Sequence, residues 1–480
     1  MARYLRLLED GLRGVGVAAP LFLMLSGGGL TTIETACRFP IRLVESGPAG
    51  GAIFSAHIAR QCDLPHVLSF DMGGTTAKIC LIDEYRPQTA RSFEVARVGR
   101  FKKGSGLPLR IPVIEMVEIG AGGGSIAHVD AMGRIAVGPE SAGADPGPAC
   151  YGRGGVAPAV TDANLLLGRY DPARFAGGTM NLDAGAARDA LAAQVGGPLA
   201  LGPEMAALGV IEMVDENMAN AARVHAIESG KTYEGRTLIA FGGGGPVHAC
   251  RVAEKVGIRR VLVPSGAGVG SAIGFLRAPV GYEVVRSLYQ RFSTFDVPAV
   301  NALLADMEAE AASVVEQGSF GAPVAQRRIA YMRYVGQGHE IPVPLPPRPL
   351  AERDVAAIRA AYDVEYTKAY DRPVPGSDVE IMSYAVLVAT IPDDQADMMM
   401  AGDDAVFSPD VAPARTQLVR DTTTGDVSPW SIFDRTALAP GVHIPGPAII
   451  AEDETSTLVS PGWHATMNGL GYIELTRETA

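Results

Sequence analysis

Two short glycine-bearing stretches carry the residue types needed to hold a phosphate. Asp71-Met72-Gly73-Gly74-Thr75-Thr76 follows an apolar strand, Val67 to Phe70, and precedes a second, Ala77 to Ile82. Adjacent glycines let backbone N–H groups approach an anion with no Cβ in the way. The hydroxyls of Thr75 and Thr76 add donors, and Asp71 at the strand end could hold a metal-bound water or orient an attacking one. The same residues also suit a tight hairpin turn, where Asp and Gly-Gly are favoured; the motif alone leaves both readings open. The second stretch, Gly242-Gly243-Gly244-Gly245-Pro246, lies between a strand, Thr237 to Phe241, and a helix, Val247 to Val256. Bare backbone there can pass against a ligand ring, with a helix N-terminus nearby. Alone it equally describes a flexible crossover. Downstream of the Asp-x-Gly-Gly-Thr hairpin, on one sheet, the ligand reading is the stronger.

Other candidates carry less. Gly120-Ala121-Gly122-Gly123-Gly124-Ser125, Asp145 to Gly152 and Thr161-Asp162-Ala163-Asn164 could form a second wall of a cleft, but read first as a rigid surface crossover. Cys150 is a conceivable nucleophile; with no base identified, a packed thiol is the preferred reading. His225 and Glu228, three residues apart on one helix face, could pair on a metal, although a polar face is preferred. His248 could contact a ligand or cap polar groups, and His339, after Gly336-Gln337-Gly338, is equally ambiguous.

The elements that must position these loops follow from periodicity and turn residues. Tyr4 to Arg13 reads as an amphipathic helix. The apolar stretch Val15 to Leu25 reads as a buried strand, most clearly over Leu21 to Leu25. Glu9 and Asp10 in its flank and the lack of a clear cleavage site argue against a signal peptide, and it is too short to span a bilayer. Ser46-Gly47-Pro48-Ala49-Gly50-Gly51 opens a small-residue helix. Arg91 to Arg97 is expected as a third strand, with helices over Ala184 to Gln194 and Met205 to Gly230 and a strand over Arg260 to Val263. Three strands, helices, strand, helix, strand predicts an α/β layer with a hairpin at its start. Beyond Phe292 the texture changes to a helix, Val297 to Gln317, and then Pro-rich, strand-like sequence. Residues 393–430, rich in Asp, Thr and Pro, read as a long surface excursion. The expected division is 1–45, a linker helix and strand; 46–290, the α/β layer; and 291–480, a β-rich C-terminal domain.

Composition sets the class. The 480 residues are 47% hydrophobic and 20% charged, which suits a globular chain of two or three domains. A formal charge of -12 with no Lys/Arg run argues against nucleic acid. Five scattered cysteines without a CxxC read as reduced thiols in a cytosolic protein, and no membrane partner is expected.

Taken together and in this order, the loops resemble the hydantoinase A/5-oxoprolinase family. The matching stretches are SGPAGG (46–51), FDMGGTTAK (70–78), IGAGGGSIA (119–127), GPESAGADPGPACYGRGG (138–155), TDANLLLGR (161–169), FGGGGPVHA (241–249), VPSGAGVGSAIG (263–274), GQGHE (336–340) and GPAIIAEDETST (446–457). The resemblance implies an actin/hexokinase-like (ribonuclease H-like) ATPase fold, of which this chain looks like the second half. It also implies ATP, Mg²⁺, a hydantoinase B-type partner subunit and a lactam or ketone substrate, in a cytoplasmic enzyme. In that frame Asp71 is the catalytic, metal- and water-orienting residue. Gly73, Gly74, Thr75 and Thr76 contact phosphate, and Gly242, Gly243, Gly244 and Gly245 face adenosine. The expected activity is ATP-dependent opening of a cyclic amide such as hydantoin or 5-oxoproline. A ketone carboxylase subunit and an inactive fragment are the alternatives. The chain departs from the family in three places. Met1 falls at the linker helix, so a first Asp-x-Gly-Gly-Thr half is expected to be missing and ATP hydrolysis by the chain alone to be weak. The tetraglycine turn replaces the commoner Gly-Gly-Ala-Gly, and the pattern near Tyr362 to Asp371 is only partly kept.

Overall fold

The computed structural model describes residues 1–95, 104–391 and 411–478. They form two compact units, one from Met1–Ala49, Arg110–Val113 and Arg277–Asp393, the other from Gly50–Leu109, Ile114–Leu276 and Asp394–Ala480.

The second unit contains a nine-stranded mixed sheet. Its centre is three parallel strands, His66–Met72, Thr237–Phe241 and Arg260–Val263, with Thr237–Phe241 in the middle. All five residues of that middle strand are buried, as a parallel strand covered on both faces requires. Ala77–Asp83 returns antiparallel to His66–Met72, and Val117–Ile119 pairs antiparallel beyond it. On the other side lie Ile473–Arg477, Trp463–Met467 and His443–Pro445, and the short strand Arg86–Pro87, paired to the end of Ala77–Asp83, is the ninth. The helix Pro203–Glu228 offers it Ala207, Ile211, Val214 and Met218, all fully buried and three to four residues apart. A four-stranded sheet, Arg415–Arg420, Val427–Asp434, Ala448–Ala451 and Ser456–Val459, lies in the same unit.

The first unit is built on a four-stranded antiparallel sheet in the order Gly281–Arg291, Val379–Thr390, Val324–Tyr334, Ile341–Leu345. The helices Val297–Ser319 and Asp354–Tyr370 close a core of Val300, Leu304, Met332, Tyr362, Ile381 and Tyr384.

Several expectations change. The apolar stretch Val15 to Leu25 is a strand only over Phe22–Met24, and Val15 and Val17 are exposed. Gly16, at a left-handed φ of 87°, turns the chain before any strand can form. The third strand of the layer is Val117–Ile119. Within the span expected for it, Phe93–Val95 instead pairs with Leu107–Leu109, and residues 96 and 97 lie outside the described set. Of the excursion expected over 393–430, residues 393–410 lie outside the described set, and Arg415–Arg420 and Val427–Asp434 are paired strands.

The two units also differ from the expected division at 45 and 290. Ile473–Arg477 hydrogen-bonds to Arg260–Val263 and Trp463–Met467 pairs with Ile473–Arg477, so the C-terminal segment shares the sheet of the α/β layer. The N-terminal segment instead joins the unit containing Gly281–Arg291: Leu30 N–H donates to the Pro279 carbonyl at 2.8 Å, and the Arg42 guanidinium lies 4.6 Å from the Tyr282 ring centre. Among the described residues no single helix is long and apolar enough to cross a membrane. One bent pair, Ala184–Leu199 with Pro203–Glu228, passes by length and composition only.

Candidate functional site

The parallel strands end side by side. In the register Phe241 lies opposite Asp71, so the Asp71–Thr76 turn and the tetraglycine turn leave the sheet at the same edge. Ligands of parallel sheets gather at this carboxyl end. Gly244 N–H donates to the Met72 carbonyl at 2.9 Å and Gly242 N–H to the Ala267 carbonyl at 2.7 Å, which ties the turns together. Gly242 has φ +82°, and a Cβ there would lie 2.5 Å from Asp71 Oδ1, so only glycine fits.

The remaining glycines fall into two classes. A Cβ on Gly73 or Gly74 would meet nothing within 4 Å, and neither residue is left-handed. The segment is a hairpin turn, with Met72 paired to Ala77 and Gly73 N–H donating to the Thr76 carbonyl at 3.1 Å, but neither packing nor a positive φ demands glycine at these two positions. What they leave is open space beside backbone amides, at a turn where Gly74 and Thr75 are exposed. Gly243 is exposed, and a Cβ there would meet only the Glu454 carbonyl at 3.6 Å. Gly122 is the opposite case: its Cβ would sit 2.6 Å from the backbone of Thr75.

That contact revises the reading of the 120–125 loop as a surface crossover. Gly123 N–H donates to the Gly73 carbonyl at 3.0 Å and Gly124 N–H to the Gly74 carbonyl at 2.6 Å. The loop is therefore a brace against the Asp71–Thr76 turn. Thr161 holds the brace, its hydroxyl and its N–H both donating to the Gly123 carbonyl at 2.8 Å. Asp162, fully buried, accepts from the N–H groups of Ala149, Cys150 and Ala159 at 3.2, 2.7 and 2.7 Å. Cys150 is fully buried, and burial followed by the Asp162 charge pushes its thiol up, which favours a packed, neutral thiol.

Asp71 is half-buried, and burial raises its carboxyl above the ordinary range, against the pull of the Ser271 hydrogen bond and the Lys78 charge. Ser271 Oγ donates to Asp71 Oδ2 at 2.7 Å. Lys78 lies opposite Asp71 in the hairpin register, and its ammonium donates to Thr76 Oγ1 at 2.6 Å and approaches Glu118 at 3.3 Å. Neither Ser271 nor Lys78 was assigned a role from sequence. Lys78 was findable, since it is two residues from Thr76 on a strand and so on the same face; Ser271 left no such signal. Among the described residues no group of three or more His, Cys, Asp or Glu side chains is placed to hold a metal ion. Asp71 is the carboxylate that would hold a magnesium ion at this edge, since Mg²⁺ is commonly bound through one or two protein carboxylates.

The histidines do not join this set. His248 is fully buried, its Nδ1 2.6 Å from Asp215 Oδ1 and its Nε2 3.1 Å from Asn164 Nδ2. It joins helix Gly245–Val256 to its neighbours. His225 is buried in the helix Pro203–Glu228, and His339 is exposed in the other unit. A cleft of about 570 Å³ opens at the opposite end of the same strands, lined by His66, Tyr233, Arg236, Thr237 and Arg260 among others. Those residues sit where the parallel strands begin, away from both glycine turns, so the carboxyl-end edge is the better candidate.

Comparison with known proteins places this geometry in a family. The hydantoinase/oxoprolinase model matches residues 1–284, and the hydantoinase/oxoprolinase C-terminal domain model matches 297–477. The chain is 30% identical over 486 residues to an uncharacterized protein of Methanocaldococcus jannaschii, covering 99% of this chain and 68% of that protein. It is 30% identical over 481 residues to the caprolactamase subunit alpha of Pseudomonas jessenii, covering 99% of this chain and 67% of the relative. It is 28% identical over 467 residues to the acetone carboxylase beta subunit of Xanthobacter autotrophicus, covering 93% and 62%. The crystal structure of the ATP-dependent caprolactamase from P. jessenii superposes with a TM-score of 0.81 at 28% identity, over 100% of this chain and 68% of that one. The chain thus spans about two thirds of the length of these relatives. By these matches, the chain belongs to the hydantoinase/oxoprolinase family.

Proposed function

We propose that this chain is an A-type subunit of an ATP-dependent cyclic-amide hydrolase, and that the paired turns at Asp71 and Gly242 bind the nucleotide. The single observation that carries the reading is the open space at Gly73 and Gly74, glycines that neither backbone conformation nor packing requires. We read the strands Val117–Ile119, Ala77–Asp83, His66–Met72, Thr237–Phe241 and Arg260–Val263 as one half of an actin/hexokinase-like fold, a hairpin-led sheet with its phosphate turn at the hairpin.

A lactam resists water because its amide is resonance-stabilised. In the proposed reaction the lactam carbonyl oxygen takes the γ-phosphoryl group of ATP and ADP leaves. Water then adds to the carbonyl carbon and the ring C–N bond opens, with a proton going to the nitrogen, which leaves an acyl phosphate; a second water hydrolyses it to the carboxylate and free phosphate. Magnesium, when bound, would neutralise phosphate charge. The protein's part is placement. The amides of Gly73 to Thr76 and the Thr75 and Thr76 hydroxyls hold phosphate oxygens. Lys78 brings positive charge to Thr76, Asp71 holds the metal or its waters, and Gly242 to Gly245 lie along adenosine. Such preorganised groups act without reorganising during the reaction.

The caprolactamase match favours a lactam substrate, and the name of that relative as one subunit of several supports a B-type partner that activates the water. A second reading, a ketone carboxylase subunit, is favoured by the acetone carboxylase match. The deciding experiment is phosphate release from ATP by the chain reconstituted with its partner subunit, with caprolactam, hydantoin, 5-oxoproline or acetone. Lactam-dependent release without bicarbonate supports the hydrolase, bicarbonate-dependent release with ketone supports the carboxylase, and release with none of them overturns both.

A further inference from the structure

Within the second unit, two helical segments, 50–61 and 270–276, approach more closely than side chains allow, and the contact delivers a hydroxyl to Asp71. In helix Gly270–Arg277, Gly274 lies on the Gly50 carbonyl of helix Ser46–Gln61, so close that a Cβ would overlap that backbone. A Cβ on Gly50 would in turn lie 2.6 Å from the Ser271 carbonyl, and one on Gly51 would lie 2.8 Å from Ser271 Oγ. Glycine at these places on both helices sets Ser271 where its hydroxyl donates to Asp71 Oδ2 at 2.7 Å. The other carboxylate oxygen, Oδ1, is bounded by Gly242, where a Cβ would come within 2.5 Å. Asp71 is therefore held by a hydroxyl on one oxygen, while the Gly242 backbone lies close beside the other.

We propose that Ser271 is a positioning residue for Asp71, and that the glycine-lined contact between the two helices exists to hold it there. The proposal rests on the reading of Asp71 as the residue that faces metal and phosphate. Ser271 itself touches neither. It removes one rotational freedom of the carboxylate and leaves the lone pairs not used by the hydroxyl for the ion or its waters. A serine that merely satisfied a half-buried carboxylate would contribute to stability and would be indifferent to Mg²⁺.

The test is ADP binding to the full chain by titration calorimetry, with Mg²⁺ and with EDTA, for wild type, Ser271→Ala, Asp71→Asn and the double variant. Thermal unfolding checks that each is folded, and Ser271→Cys, which keeps the shape but donates weakly, replaces the alanine variant if that one is not. The expected result is a loss of about tenfold in Mg²⁺-dependent affinity for Ser271→Ala, the size of one hydrogen bond to a charged group. Affinity in EDTA should be unchanged, and no further loss should follow when Asp71 is already asparagine. An equal loss with and without Mg²⁺, or the same loss in the Asp71→Asn background, shows a purely structural serine and overturns the proposal while leaving the nucleotide site standing. A wild-type chain with no Mg²⁺-dependent ADP binding overturns the site reading and this proposal with it.

Discussion

Gly74→Ala separates the fold from the proposed function. The added methyl meets no atom within 4 Å, and the backbone there is not left-handed. A glycine replaced by alanine where the conformation is compatible stabilises by about 0.4–1 kcal/mol, because the unfolded chain loses freedom. The melting temperature should therefore stay level or rise by about 1–3 °C. If the space at Gly74 holds phosphate, the methyl occupies it. Inserting a methyl into a filled site costs about 1–3 kcal/mol, and each 1.4 kcal/mol is about tenfold in affinity. ADP affinity should thus fall by about ten- to a hundredfold in a protein that is no less stable. Gly122→Ala is the control of opposite sign, since its methyl would sit 2.6 Å from the Thr75 backbone and must displace the brace; it should lower the melting temperature and affinity together. The assay is calorimetric ADP titration beside thermal unfolding. A Gly74→Ala chain that binds ADP as tightly as wild type would refute the reasoning, for the open space would then have no ligand in it.

Three further outcomes are expected. Asp71→Asn should abolish turnover in the reconstituted complex, by roughly two to three orders of magnitude in rate, while raising the melting temperature at neutral pH. Burial raises this carboxyl, so its charged form costs folding energy; the variant's gain should be present above the raised value and shrink toward zero as pH falls below that of the unfolded chain. Gly243→Val, at an exposed glycine with room only as far as the Glu454 carbonyl, should weaken nucleotide binding before it slows chemistry, read as a rise in the apparent KM for ATP with little change in kcat. At Asp83, burial is outweighed by hydrogen bonds from Lys231 and His66 and by the Arg236 charge, which hold the carboxyl down to about 2. Stability from that cluster is present above the ordinary carboxylate range and lost as pH falls from about 4 to about 2. Asp83→Asn should cost about 1–3 kcal/mol at neutral pH in urea unfolding, since Arg236 also donates to the Val67 and Ile82 carbonyls and is not left bare.

The parallel centre of the sheet was legible because its signals are local. Thr237–Phe241 and Arg260–Val263 are short apolar runs bounded by glycine and proline, and the hairpin at His66–Met72 is marked by Asp-x-Gly-Gly. Pairings between residues far apart in the chain were not legible. Val117–Ile119 is three residues long with a charge at its centre, too short to show a period, and the third strand was placed earlier in the chain for that reason. Nothing in Ile473–Arg477 announces Arg260–Val263 as its neighbour. The same limit applied to the site. Gly73 and Gly122 look alike in sequence; only the fold shows that one faces open space and the other the Thr75 backbone. Ser271 was hidden for the same reason, since its partner Asp71 is 200 residues away.

The most direct test of the central claim is a crystal structure of the chain with ADP and Mg²⁺. The account predicts phosphate oxygens on the amides of Gly73 to Thr76, the adenosine along Gly242 to Gly245, and the metal or its waters at Asp71. ADP seated instead at the opposite end of the sheet, in the cleft lined by His66, Arg236 and Arg260, would contradict it.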